Sequence, residues 1–300
     1  MDNDLWPQID AVAATMRPRY GEAVEEAAAE LDLDGKPWWL LASAVMVDPE
    51  VWDATSTRAR YPYNRPQRLD EQLQQMVDEG YLERVAPDRY RLTEDGRAAG
   101  QGMMAAMGAL FAEPVPADRE DLERLTELLG RLVRASLEAP DLPRKTALHA
   151  SRTLDRGEGQ PLMARLNRYM DDLNAHRDDA HIYAWQQHDV NGPAWEALTL
   201  VWREEARDAA GLAEQLSFRG YGEEAYEEAL QELAGRGWVE AGDDGYRLSA
   251  VGRQVREAVE AETDRLFYAP WQVLDEAEVG ELRNLLERVR DDLMIEAEAN

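Results

Sequence analysis

The stretch Gly80-Tyr81-Leu82-Glu83, followed by Tyr90-Arg91-Leu92-Thr93 and then Gly96-Arg97, decides the architecture because it occurs twice. It returns as Gly237-Trp238-Val239-Glu240, Tyr246-Arg247-Leu248-Ser249 and Gly252-Arg253. Gly80 and Gly237 are 157 residues apart and Tyr90 and Tyr246 are 156 apart, so one residue is lost in the turn between the paired segments. Working outward, Phe111 and Pro114 correspond to Phe267 and Pro270, while Trp38, Leu41, Leu73 and Met76 correspond to Trp195, Leu198, Leu230 and Leu233. A repeat on this scale means two copies of one unit of about 130 residues.

Periodicity orders the elements within a copy. Leu69, Leu73, Met76 and Val77 recur at helical spacing behind Pro66, a residue tolerated in a first turn, with Asn64 as the expected cap and Gly80 as the stop. Tyr81 to Val85, a Pro87-Asp88 turn and Arg89 to Thr93 predict a β-hairpin. A long helix is expected to about Ala112. Pro114 and Pro116 break it, and Asp118 opens another through Leu122, Leu125, Leu128, Leu129, Leu132 and Val133. Upstream, Trp38 to Val47 and Pro49 to Arg60 read as two shorter helices.

This order of three helices, a two-stranded wing and long helices resembles a winged helix-turn-helix, and the long C-terminal helices make it similar to the MarR-like group of bacterial transcription regulators. The expected fold is therefore mainly α with small β-hairpin wings, as tandem winged helix-turn-helix domains with long accessory helices. Residues 1–136 form the first unit, 137–161 a connection and 162–300 the second unit. The resemblance implies double-stranded DNA as partner, dimeric action through a monomeric pseudo-dimer or a homodimer, and a cleft for a small apolar ligand. The Trp residues at 38, 39, 52, 185, 195 and 202, with Met103, Met104 and Met107, suit such a cleft or a packed core.

Charge restricts where DNA contact can occur. With 33 Lys+Arg against 61 Asp+Glu, the chain of 300 residues carries −28 and is repelled by phosphates at long range. Between Asp53 and Asp70, however, no acid occurs, and Arg58, Arg60, Arg65 and Arg68 fall there with Tyr61, Tyr63 and Asn64. Arg forks at the start of a recognition helix position phosphates, and an outward face of Gln67, Arg68, Glu71, Gln74 and Gln75 is neutral with several donors. Arg84 and Arg89 flank the wing. The candidate DNA-binding residues are thus Arg58, Arg60, Asn64, Arg65, Gln67, Arg68, Gln74, Arg84 and Arg89, expected to include the most positive surface patch. The alternative is that these arginines pair with neighbouring acids. The equivalent face of the second copy, Glu224, Ala225, Glu228, Gln231 and Glu232, carries −3 and is unsuited to DNA. It leaves that copy for pseudo-dimerisation or for binding a ligand or protein partner.

The remaining signals are weaker. His176 and His181 are five residues apart, about 140° around a helix, a poor geometry for a metal, and polar surface or domain-contact roles are expected instead. No phosphate loop or nucleophile elbow is present, so neither an enzyme nor a cofactor is expected. The connection, with Arg144, Lys145, His149 and Arg152, reads as a solvated linker. The longest apolar run, Trp38 to Val47, spans ten residues against the roughly 20 needed for a membrane helix, and Met1 to Asp4 lacks an export signal, so a cytoplasmic place is expected. A different class of function, an acidic protein-interaction adaptor without DNA binding, fits the same fold.

Overall fold

The computed structural model describes residues 5–140, 142 and 144–297; the acidic start Met1 to Asp4 and Pro143 of the connection lie outside them. The first half runs α1 (Leu5–Glu30), α2 (Trp39–Val45), β1 (Trp52–Asp53), α3 (Thr55–Arg60), α4 (Pro66–Asp78), β2 (Leu82–Ala86), β3 (Arg89–Leu92), α5 (Glu94–Leu110) and α6 (Arg119–Glu138). After α7 (Thr146–Arg152), the second half runs α8 (Leu162–Gln186), α9 (Gly192–Trp202), α10 (Ala209–Gln215), α11 (Glu223–Gly235), β4 (Val239–Gly242), β5 (Gly245–Leu248), α12 (Ala250–Tyr268) and α13 (Glu276–Ala297). The fold is mainly helical with two small antiparallel sheets, as expected.

The two helix-to-hairpin junctions are built alike. Gly80 and Gly237 both hold positive φ, +82° and +70°, the conformation that ends a helix most cheaply in glycine. The Thr93 hydroxyl donates to Gly80 O (2.7 Å) and accepts from Gly96 N; the Ser249 hydroxyl donates to Gly237 O (2.6 Å) and accepts from Gly252 N. One side chain therefore closes the hairpin and caps the helix that follows. Leu82 pairs with Leu92 in one hairpin and Val239 with Leu248 in the other.

Three expectations are corrected. Pro49 to Arg60 is not one helix, because Trp52 and Asp53 pair with Tyr90 and Arg89 as a third strand, leaving only α3 beyond. Asn64 does not cap α4; Arg65 holds that position and the Asn64 amide is used elsewhere. The connection is not simply solvated. Two buried carboxylates of α8 fasten α7: Asp172 accepts from Ser151 and Arg152, both 2.7 Å, and Asp179 accepts from the N–H groups of Ala147 and Leu148, both 2.8 Å. Lys145 caps the C-terminal carbonyls of α6, Leu137 O and Ala139 O.

Each half buries its own short helices and hairpin, around Leu41, Leu73, Met76 and Tyr90 in one and Trp195, Leu198, Tyr226 and Leu230 in the other. A third core is shared. Ile9 and Val12 of α1, Leu125 to Val133 of α6, Leu166 and Leu173 of α8, Phe267 of α12 and Leu282 to Val289 of α13 form one apolar cluster. In it α1 packs on α13 while α6 packs on α8, a reciprocal exchange between the halves.

Candidate nucleic-acid interface

Helix α4 is amphipathic, with Leu73 and Met76 buried and Gln67, Glu71 and Gln74 exposed, so its outward face is the one the periodicity predicts. With the β2–β3 hairpin it flanks an open groove of about 980 Å³. The groove carries five carboxylates, Asp70, Glu71, Asp78, Glu79 and Asp88, against two guanidiniums, Arg58 and Arg84. Its formal charge is therefore −3.

Several of the candidate arginines are engaged within the protein. Arg58 donates to Asp70 (2.7 Å), Asp88 (2.9 Å) and Pro66 O (3.0 Å), tying α3 to α4 and the hairpin, and these bonds raise its pKa. Arg65 bonds both oxygens of Glu71 at 2.7 Å. Arg60 lies over the Tyr61 ring, 5.5 Å to its centroid, and lines a different cleft. Arg84 stacks on Tyr90 at 5.5 Å, Arg89 stands 4.0 Å from Asp53, and Gln74 donates to Asp78 (2.7 Å). The alternative reading, pairing with neighbouring acids, thus holds for Arg58, Arg65 and Arg89, because local acids outbid any distant partner at contact distance.

The start of α4 meets the second half. Asn64 Oδ1 accepts from Arg219 Nη1 (3.1 Å), Asn64 O accepts from the Tyr221 hydroxyl (3.4 Å), and Arg65 N donates to Arg219 O (2.9 Å). Arg65 and Arg68 pack over Gly220, where an added Cβ would lie 3.4 and 3.5 Å from them. Gly192 lies so close that its Cβ would fall 2.4 Å from Pro62 O. Trp185 Nε1 donates to the Tyr63 hydroxyl (2.7 Å), and burial pushes the Tyr63 pKa up. Arg219 in turn is held by Glu196, 2.6 Å at the closest, and covers the Tyr63 ring. Burial raises the Glu196 carboxyl, an effect that Arg219 opposes.

Residues 63–65 therefore pack against 219–221, which overlap their own counterparts at the 157-residue offset, 220–222. Only Gln67, Arg84 and Arg89, besides Gln74, remain exposed among the nine candidates, while Arg58, Arg60, Asn64, Arg65 and Arg68 are half-buried. Sequence reasoning missed Arg219, Glu196 and Gly192; the one signal was Arg219, the single charged residue between Gln215 and Tyr221. On α11 the predicted outward Glu224, Glu228 and Gln231 are exposed, while Ala225 and Glu232 are partly covered.

Among the described residues no helix is long and apolar enough to cross a membrane. The sequence model of a helix-turn-helix family matches residues 148–299, from α7 through α13. No curated protein and no solved structure shows a significant match.

Proposed function

From the chain's membership of a helix-turn-helix family, we propose that it is a MarR-like winged-helix transcription regulator whose two units form an internal pseudo-dimer. In this reading the first unit contacts double-stranded DNA, the second completes the pseudo-dimer, and the protein works in the cytoplasm without a cofactor or a catalytic step. The observation that carries it is the recurrence, in both halves, of three helices leading through a left-handed glycine into a hairpin and a hydroxyl-capped long helix. The reciprocal packing of α1 on α13 and α6 on α8 is what an isologous dimer contact becomes when its subunits are fused.

The arrangement is a closed one. A duplex reaches the first turn of α4 only when residues 62–65 leave Arg219 and Tyr221, so Arg219→Ala, which removes the central cation, should favour the open form. Fluorescence anisotropy with random and genomic duplexes over a salt series tests this. Steeper salt-dependent binding by Arg219→Ala than by the wild type is expected. The net −3 groove favours a second reading, an acidic protein-interaction adaptor that binds no DNA. Absence of salt-sensitive affinity in both proteins would sink the regulator and leave the adaptor.

A further inference from the structure

We propose that each chain reads one asymmetric half-site of duplex DNA, through α4 alone, so that its operator carries no inverted repeat. This rests on the regulator reading above. Helix-turn-helix dimers place the N-terminal ends of two recognition helices in successive major grooves, roughly 34 Å apart along the duplex. Here those two ends touch. Helices α4 (Pro66–Asp78) and α11 (Glu223–Gly235) match residue for residue at the 157-residue offset, and the segments leading into them are bonded to each other. Arg65 N donates to Arg219 O (2.9 Å) and the Tyr221 hydroxyl to Asn64 O (3.4 Å). The side chain of Arg68, in the first turn of α4, lies 3.5 Å from where a Cβ on Gly220 would stand.

Separating the ends far enough for two half-sites would dismantle the molecule. Helices α1 and α8 are counterparts at that offset, as are α6 and α13, and α1 packs on α13 while α8 packs on α6. The core they share includes Leu125, Leu129, Leu166 and Leu282, all fully buried. Both lobes are also tied to α8. On the first, α7 packs against α3 and is bonded to α8 through Asp172 and Asp179. On the second, Arg177 of α8 pairs with Glu260 (3.3 Å) and Asp264 (2.8 Å) of α12. A separation of roughly 30 Å breaks these contacts and exposes the leucines to water, whereas a single half-site needs only residues 63–65 to leave 219–221.

Charge decides which helix reads. In the first half Asp70, Asp88 and Glu71 are each bonded to an arginine, and Arg84, Arg89 and Arg91 outnumber Glu83 and Asp88 on the hairpin. Arg68 has no carboxylate within 4.0 Å among the described residues, so its fork can take a phosphate or a guanine edge once Gly220 moves away. In the second half Glu223, Glu224 and Glu228 on α11 and Asp243 and Asp244 at the hairpin tip are exposed, with no cation within 4.0 Å among the described residues. Five uncompensated carboxylates repel phosphates at contact distance. The two-fold arrangement of the helices is therefore not matched by a two-fold recognition surface, and a palindrome offers α11 nothing.

Selection of bound sequences from a random duplex pool, by the full chain and by Arg219→Ala, tests the proposal, with anisotropy titrations on the selected duplexes. Asn64→Ala, which also loosens the contact, serves if Arg219→Ala does not fold. The selected motif should lack an inverted repeat and bind one chain per copy. Adding a second, inverted copy one helical turn away should change the affinity per copy by less than about three-fold, and Arg68→Ala should weaken binding by about ten-fold or more. Glu224→Gln combined with Glu228→Gln should still select the same one-armed motif, because the abutting helix ends remain. An inverted repeat that one chain spans, with a loss of about ten-fold or more when either arm is deleted, would overturn the proposal while leaving the regulator reading intact. So would the appearance of a second arm in the double glutamine variant. Selection of no sequence, with no salt-sensitive affinity for any duplex, would instead sink the regulator reading and this proposal with it.

Discussion

His176, on α8, is fully buried with its ring 5.7 Å from that of Phe267, and burial, reinforced by Lys145, holds its pKa at about 4 against an ordinary 6.5. The folded state thus resists a proton that the unfolded chain accepts below pH 6.5. The stability His176 allows at neutral pH is lost as pH falls from 6.5 through about 4, by about 2 kcal/mol at pH 5. His181, also lowered to about 4 by burial, acts in the same direction. Replacing His176 by Leu should therefore gain about 2 kcal/mol relative to wild type between pH 7.5 and pH 5, measured by urea denaturation at each pH; an unchanged difference would exclude the buried neutral imidazole. Gly252 makes a second residue-scale case. A Cβ there would stand 2.1 Å from Trp238 O, so Gly252→Ala must push the hairpin from α12 and should cost about 2–4 kcal/mol, whereas Gly280→Ala, in open space on α13, should stabilise by up to about 1 kcal/mol. Both glycines are plain in the sequence, but only the positions of Trp238 and its carbonyl distinguish them.

At the scale of elements, Thr93 and Ser249 each join a hairpin to the helix it precedes. Thr93→Val keeps the volume but loses the acceptor for Gly96 N and the donor to Gly80 O, and Ser249→Ala loses the equivalent pair. Each should cost about 1–2 kcal/mol, and the double variant should show nearly the sum because the junctions lie in separate cores. Denaturant midpoints of the two single and one double variant check this; a large coupling energy would mean that the junctions communicate. These elements were legible beforehand because glycine, a hydroxyl and alternating apolar residues act over a few positions. β1 was not, since a two-residue strand with Trp52 opposite Tyr90 is created by a partner some 40 residues away.

Considered as a whole molecule, the protein should behave as one cooperative unit. Leu125, Leu128, Leu129 and Leu132 of α6 are fully buried only because α8, α13 and the turn Ala269–Val273 cover them. Arg124 to Glu281 and Arg288 to Asp121 add ion pairs across the same boundary, worth about 1 kcal/mol or less each at the surface. A single calorimetric transition is expected, and separately expressed 1–158 and 159–300 should be poorly folded alone yet regain the native circular dichroism when mixed. Two independent transitions, or a fully folded 1–158, would show that the shared core contributes little. Leu129→Ala, which opens a cavity in that core, should cost about 2–5 kcal/mol and lower the one transition as a whole.

The sequence by itself determined the mainly helical class, the duplicated helix-to-hairpin unit and the outward face of α4, because each rests on local periodicity, turn residues and caps. Tertiary structure alone decided what Arg58, Asn64 and Arg65 do, and it turned the connection into α7 anchored by Asp172 and Asp179. The physical reason is that charge pairing and burial depend on distance in space. Asp70 lies 12 residues from Arg58, Arg219 lies 155 from Asn64, and folding brings both within hydrogen-bonding reach, where a local acid or a neighbouring loop overrides what the linear charge pattern implies.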